Sequence, residues 1–362
     1  MSTDTTVSLP LVSVITVCFN LVKNGRADFF QKCAASVHQQ TYPDIEHLVI
    51  DGGSQDGTRE LLETYAAKGW LRFISEPDDG IYDAMNKGIR EAKGKYIAFL
   101  NSDDYWHSPQ GVEASVKALE EQGAAFSYAA RNRINEEGLF LFREEASVGA
   151  FMFLMPFCHQ TMFTRKDILL KYNGFDQHHY RSSADYDLVM RLILGGEKCV
   201  YVPHNFTTFR SGGFSEAPGG GNTRDETYLV RQSLLGTDAA DMINNGYLTD
   251  EILQQVLPKV DSSVALDMLL NLRQDGPGCY TMVHGLVTSK KAGVYSSGFT
   301  RRERTSWKLF GILPILTVKT RNKRTDYSLF GILPLLRIKK ESNKQTDFLL
   351  FWSIPLMSVR QK

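Results

Sequence analysis

Lys95-Tyr-Ile-Ala-Phe-Leu-Asn-Ser-Asp-Asp104 decides the fold: a short apolar run that ends abruptly in two adjacent carboxylates. Tyr96 to Leu100 has the length of one buried strand of a parallel sheet and is too short for a confident helix. Asp103 and Asp104 are therefore expected just past its carboxyl end, where open α/β sheets bind ligands. Adjacent carboxylates repel each other, and a divalent cation or a pair of hydroxyl donors is the usual means of keeping both ionised. A hard ion held there can clamp a diphosphate. A solvated acidic turn is the plainer alternative, and spacing alone favours it, because acidic turns are common.

Upstream, the same rhythm repeats. Leu11 to Phe19 is a β-branched apolar run ending at Asn20, and a helix is expected over about Ala27 to Gln39. His47 to Ile50 reads as a second buried strand, closing in Asp51-Gly52-Gly53-Ser54-Gln55-Asp56-Gly57-Thr58. The glycines let the backbone turn sharply beside a ligand, and Asp51 stands at a strand end where it can accept from a base or ribose. Asp56 reads as a helix cap ahead of Leu61, Leu62 and Tyr65. Leu71 to Ser75 is expected as a third strand. Ile81, Ala84, Met85, Gly88, Ile89 and Ala92 then fall on one helical face, leaving Asp83, Asn86 and Lys87 off that stripe and turned toward a ligand. Strands alternating with helices in this way define an α/β, Rossmann-like, mostly parallel sheet flanked by helices. Neither G-x-G-x-x-G nor G-x-x-x-x-G-K occurs in it, so a dinucleotide or P-loop site is not expected.

Composition sets bounds. The chain has 362 residues, 43% of them hydrophobic, and no net charge. Neutrality hides an asymmetry, because residues 301–362 hold 14 Lys and Arg against 4 Asp and Glu. The five cysteines are odd in number and include no C-x-x-C pair, so neither a disulfide framework nor a zinc site is indicated, and a reducing compartment is the simplest home. The polar Met1 to Leu9 lacks the form of a signal peptide, and no apolar run reaches the roughly 18 residues of a membrane span.

Four stretches together resemble bacterial family 2 glycosyltransferases: SVITVCFN (13–20), VIDGGSQDGT (49–58), DDGIYDAMNKGIREAKGKYIAFLNSDD (78–104) and SADYDLVMRL (183–192). The likeness covers roughly residues 10–215 and implies the GT-A fold. It implies an enzyme of hexosyltransferase type that moves a sugar from a nucleotide-sugar donor, UDP-linked, with a divalent metal, Mn²⁺ or Mg²⁺. By position, Phe19 and Asn20 would line the nucleotide pocket, Asp51 would contact the base, Asp103 would lie near ribose and diphosphate, and Asp104 would ligate the metal. The family's Glu-Asp signature reads Ala184-Asp185 here, so the Glu is missing and the catalytic base, Asp185, is kept. Its place also suits it physically: Ser182 or Ser183 can cap a helix whose apolar stripe is Leu188, Val189, Leu192 and Ile193, and the helix dipole keeps a first-turn acid ionised. An acid that only stabilises its helix is the alternative. Attack from the face opposite the leaving group implies inversion at the anomeric carbon.

His159 and Gln160, polar groups in an apolar setting before an expected strand Thr161–Thr164, can position acceptor hydroxyls, or can be satisfied buried side chains. Residues 204–222 are glycine-rich and expected as a mobile loop, from which Arg210 can close over the diphosphate or His204 can reach the metal. Residues 1–222 thus form the expected catalytic domain and 223–300 a helical extension. Residues 301–362 form a tail repeating every 20 to 21 residues: LFGILPILTVK (309–319), LFGILPLLRIK (329–339) and LFWSIPLMSVR (350–360). Each block is too short to span a bilayer and carries a helix-opposing proline. Apolar wedges beside Lys and Arg suit an anionic membrane surface, and such repeats resemble the ends of some surface-polysaccharide glycosyltransferases. The expected setting is peripheral, on the cytoplasmic face of the cell membrane, with a lipid-linked glycan acceptor as in O-antigen assembly. Nucleic acid is not an expected partner, since the basic residues bracket apolar blocks and form no continuous stripe. A glycan-binding or assembly protein that keeps the fold without turnover is the rival reading.

Overall fold

Buried β-branched strands flanked by amphipathic helices make up the first two hundred residues. A computed structural model describes residues 9–213, 223–276 and 278–282, together with the backbone of six strands between 304 and 360. In chain order the first elements are β1 (Val12–Cys18), α1 (Ala27–His38), β2 (Ile45–Asp51), α2 (Thr58–Ala67), β3 (Arg72–Ser75), α3 (Ile81–Glu91) and β4 (Tyr96–Phe99). Then come β5 (Tyr105–Trp106), α4 (Gly111–Gln122), β6 (Phe126–Tyr128), β7 (Arg131–Ile134), β8 (Phe140–Glu144), β9 (Phe163–Arg165), α5 (Lys166–Lys171), α6 (Ala184–Leu194), β10 (Cys199–Tyr201) and β11 (Thr207–Arg210).

Seven strands form one sheet in the order β10-β6-β9-β4-β1-β2-β3. β1 pairs in parallel with both β2 and β4, and β2 with β3. β9 runs antiparallel to β4 and β6, so the sheet is mostly parallel, with one reversed strand inside it. Strand order reverses between β1 and β4, and the crevice above their carboxyl ends is where such sheets take ligands. Every residue of β1 and of β4 is buried, which matches strands covered on both faces. Gly88 lets α3 lie close on β1, because a Cβ there would come within 2.6 Å of Ile15 Cγ2.

A second sheet, β5-β11-β7-β8, starts directly after the Asp103-Asp104 pair and frames the crevice. It was not anticipated from the sequence, since its strands are two to five residues long. The expected strand Thr161–Thr164 lies two residues later, as β9, because His159–Thr161 make a 3₁₀ turn instead. Nor is the stretch 204–222 a single loop: Thr207–Arg210 are strand β11, while residues 214–222 lie outside the described residues.

The chain divides into two compact units. One takes in Met1–Asn244, Lys259–Leu270 and His284–Val287, the other Asn245–Pro258, Asn271–Val283 and Thr288–Lys362. Beyond β11 the first unit holds α7 (Thr223–Leu235) and α8 (Thr237–Asn244). Next come β12 (Tyr247–Thr249), α9 (Asp250–Val256), α10 (Ser262–Asn271), β13 (Leu272–Gly276) and β14 (Cys279–Met282), with β12, β14 and β13 forming an antiparallel sheet in the second unit. The stretch expected to be helical therefore also carries three short strands.

The tail is a six-stranded antiparallel meander: β15 (Arg304–Leu309), β16 (Leu313–Arg321), β17 (Arg324–Leu329), β18 (Leu333–Ser342), β19 (Gln345–Leu350) and β20 (Ile354–Arg360). Each repeat is one hairpin, and a register shift recurs at the same place in all three, between Trp307 and Lys308, Tyr327 and Ser328, and Phe348 and Leu349, where the partner strand carries one extra residue. Pairs Leu309↔Leu313, Leu329↔Leu333 and Leu350↔Ile354 lie at one end of this sheet, and Arg321↔Arg324 at the other.

Candidate active site

The carboxylate pair is built by the end of β4. Leu100 donates its amide to Ile15 O at 3.0 Å, after which the chain leaves the sheet in a turn closed by Asp104 N to Asn101 O at 3.1 Å. Asp104 is buried, and both of its oxygens accept hydrogen bonds: Oδ1 from the Arg210 amide at 2.6 Å and Oδ2 from Gln160 Nε2 at 2.5 Å. Gln160 in turn accepts from the Asn101 amide at 2.9 Å, so it locks the turn from behind. Asp103 Oδ2 lies 3.5 Å from Arg26 Nη1. Burial and the neighbouring Asp103 push the Asp104 carboxyl up to about 8, the behaviour of two acids sharing one site.

Among the described residues, no group of three or more His, Cys, Asp or Glu side chains is placed to hold a metal ion. The donor set nonetheless fits a hard divalent ion of the kind that binds through one or two carboxylates and fills its shell with phosphate and water. An electrostatically frustrated Asp pair beside a large cavity is such a set.

At the end of β1, Phe19 stands 57% exposed, and Asn20 adopts φ of 50°, donating its amide to Ser54 Oγ at 2.7 Å. Ser54 donates to Asp51 from both its amide (3.0 Å) and its hydroxyl (2.5 Å), and Ser75 Oγ donates at 2.7 Å. Asp51 thereby ties together the ends of β1, β2 and β3. Gly52 lies close between Phe19 and Asp78: a Cβ there would come within 2.7 Å of Asp78 Oδ2, so that carboxylate would have to move.

Asp185 enters from the far side, on the first turn of α6. Its Oδ1 accepts from the Tyr186 amide at 2.9 Å and the Tyr82 hydroxyl at 3.1 Å, and its Oδ2 lies 3.1 Å from His159 Nδ1. Burial alone would raise its pKa, but the His159 contact, the Tyr186 amide and the Tyr82 hydroxyl hold it below the ordinary carboxylate range.

One cavity of about 910 Å³ receives Phe19, Asp103, Asp104, His159, Asp185 and Arg210. Six residues singled out from the sequence, spread over nearly two hundred positions, thus share a single space. Asn20, Asp51 and Gln160 do not line it; they brace residues that do. Asp83 and Asn86 line a separate cavity of about 690 Å³. There Asn86 Nδ2 donates to Phe175 O and Gln177 Oε1, each at 2.8 Å, and Asp83 sits 3.5 Å from Lys87 Nζ. Arg210 carries its guanidinium 4.0 Å over the Phe29 ring and donates from Nη2 to Glu136 O. His204 pairs with Ser108 Oγ at 2.7 Å and is absent from the cavity wall.

Sequence reading missed Arg26, Tyr82 and Arg131. Arg131 lines the cavity from β7, bonded to Glu144 at 2.8 Å and stacked 4.2 Å from the Phe209 ring. Nothing local marked it, because the sheet that carries it was not foreseen.

A mostly parallel sheet opening on paired carboxylates at its switch point, faced by a helix-borne acid, defines an α/β domain with a ligand crevice at its strand ends. Residues 13–188 match the family model described as Glycosyl transferase family 2. An uncharacterized glycosyltransferase of Mycobacterium tuberculosis is 35% identical over 193 residues, 52% of this chain and 70% of that protein. Chondroitin synthase of Pasteurella multocida is 31% identical over 190 residues, 51% of this chain and 19% of that enzyme. The putative teichuronic acid biosynthesis glycosyltransferase TuaG of Bacillus subtilis is 33% identical over 131 residues, 36% of this chain and 50% of that protein. Among solved structures, S. aureus TarS in complex with UDP-GlcNAc aligns with a TM-score of 0.50 at 18% identity, over 72% of this chain and 79% of that one, a likeness of fold. The chain belongs to glycosyl transferase family 2, and it is a glycosyltransferase.

Proposed function

We propose that the chain transfers a sugar from a UDP-linked donor to a hydroxyl of a lipid-linked surface glycan, with inversion at the anomeric carbon. The observation that carries this reading is the single cavity in which Asp103 and Asp104 meet Asp185. Phe19, exposed at the cavity, offers a face for a base, and Arg26 and Arg210 offer positive charge to a diphosphate. Asp103 and Asp104 would hold the divalent ion, which when bound supplies positive charge to the departing diphosphate. Asp185 serves the acceptor side, where a proton must be removed as the hydroxyl attacks.

The names of the relatives support the substrate class. TarS was solved with UDP-GlcNAc, and chondroitin synthase and a teichuronic acid enzyme are named for glycans. We extend the reading to a catalytic domain over residues 1–222, an extension over 223–300 and a membrane-facing tail over 301–362. The tail's apolar strand ends, gathered at one end of its sheet with Lys and Arg along the strands, support attachment to the cytoplasmic face of an anionic membrane. No helix among the described residues is long and apolar enough to cross a bilayer.

The test is transfer assayed by mass spectrometry with UDP-sugars and a lipid-linked acceptor, for the native chain and Asp185→Asn. The substitution should lower transfer by about 10²-fold or more while donor binding stays unchanged. Transfer that survives it would remove Asp185 from the chemistry, and donor binding without transfer by the native chain would favour a glycan-binding role.

A further inference from the structure

Asp83 and Asn86, which the sequence turns toward a ligand, line the second cavity of about 690 Å³. It adjoins the first, because neighbouring residues of the same elements divide between the two. On α3, Tyr82 lines the first and Asp83 the second; on α6, Asp185 lines the first and Asp187 the second. Ser182 and Tyr180 divide in the same way just before α6. On α7, Thr227 lines the first and Ser233 the second, about 9 Å further along the helix axis.

The partition is thin, and it lies at one particular end of the active site. Phe175, in the wall of the second cavity, stacks on Tyr82 with ring centroids 5.3 Å apart, and the Tyr82 hydroxyl donates to Asp185. One pair of rings thus separates the second cavity from the acid assigned to the acceptor. Asp103 and Asp104, assigned to the donor, are absent from its wall.

The polar side chains of this cavity fall into two groups. An inner group holds the loop over residues 172–177 in place. Arg191 donates to Asp187 from Nε and Nη2, at 2.8 and 2.7 Å, and its guanidinium also donates to Tyr172 O and Gly174 O. Asn86 accepts from the Phe175 amide at 2.9 Å, and Gln177 Nε2 donates to Asp83 at 3.1 Å. An outer group is left over. Arg90, Asn173 and His178 are exposed at this cavity, and among the described residues their side chains make no hydrogen bond or ion pair.

Rigid rings beside unspent planar polar groups suit a sugar. Tyr172, Phe175 and Tyr180 offer faces for its C–H surfaces, while a guanidinium, an amide and an imidazole meet hydroxyls that both donate and accept. A phosphate is less well matched, since the carboxylates of Asp83, Asp176 and Asp187 outnumber the guanidiniums of Arg90 and Arg191.

We propose that the second cavity binds sugar units of the acceptor glycan remote from the unit that carries the attacking hydroxyl. The proposal rests on the glycosyltransferase reading above and adds a subsite to it. The glycan passes from one cavity to the other along α7 and the 180–182 segment. Binding energy from its remote sugars then holds the reacting hydroxyl at Asp185.

The probe is the glycan accepted in the transfer assay, freed of lipid and cut into a two-sugar and a six-sugar fragment that keep the accepting end. If the native chain transfers no sugar to the lipid-linked glycan, the functional reading fails and this proposal fails with it. If it does transfer, KM for the longer fragment should be at least about tenfold below that for the shorter, with similar kcat. Ser233→Trp, which places an indole in the cavity, and Arg90→Ala, at an exposed position, should each raise KM for the longer fragment toward that for the shorter. UDP affinity, unchanged in both, shows that each variant is folded. Equal KM for the two fragments, a preference for length that survives both substitutions, or acceptance of the lipid-linked glycan alone would overturn the subsite and leave the functional reading intact. Photo-crosslinking to the native chain needs no variant. A six-sugar fragment with a photoreactive group at the end away from the accepting sugar should label residues 172–180 or 230–235, and labelling confined to other segments would also overturn it.

Discussion

His47 shows how a single buried side chain makes the whole sheet sensitive to pH. It sits in β2 with Nε2 3.0 Å from Thr16 Oγ1 of β1, and burial lowers its pKa to about 4. The unfolded chain binds a proton near pH 6.5 while the folded chain resists until about 4. Stability is therefore full above pH 6.5 and falls as pH drops through that window, since the unfolded state binds more protons there. At about 1.4 kcal/mol per pH unit, the loss attributable to His47 reaches about 3 kcal/mol. Urea unfolding of the native chain and His47→Gln between pH 7 and 4 checks this: the variant should lose less stability, and equal slopes would exclude His47 as the cause. The same scale shows what sequence could reveal. The places of Asp103, Asp104 and Asp185 were legible because each sits at a strand or helix end that follows from apolar periodicity, while their candidacy as site residues came from the family resemblance. The bracing roles of Asp51 and Gln160 were not, because each depends on partners brought by distant elements: Ser75 in one case, and Asn101 with Asp104 in the other.

Among the elements, the parallel core β1 to β4 was readable because each strand is a continuous apolar run closed by a turn signal. β7 and β8 were not, since Arg131–Ile134 is short and charged and Phe140–Phe142 is exposed on an edge. Pairing with β11 places Arg131 beside the cavity, and that partner is over seventy residues away. The tail is the converse case. Its repeat was plain in the sequence, whereas the hairpin form of each copy depends on the pairing of its two strands, and the meander on pairing between successive copies. If those strands carry the membrane contact, a chain ending after about Thr300 should stay in the supernatant when membranes are sedimented, and still bind nucleotide. Continued sedimentation with membranes would place the attachment elsewhere.

For the molecule as a whole, the proposed function requires the crevice at the switch point between β1 and β4 to hold a nucleoside diphosphate through a cation on Asp103 and Asp104. Fold and family make this chain a glycosyltransferase, but donor and metal rest on that crevice. The most direct measurement is calorimetric titration of UDP, GDP and CDP into the purified full chain, with and without Mn²⁺, beside Asp103→Ala and Asp104→Ala. The account predicts metal-dependent binding of UDP in preference to the other two, lost or weakened at least tenfold in both variants. Binding that is indifferent to metal and to both substitutions, or no nucleotide binding under any condition, would contradict it.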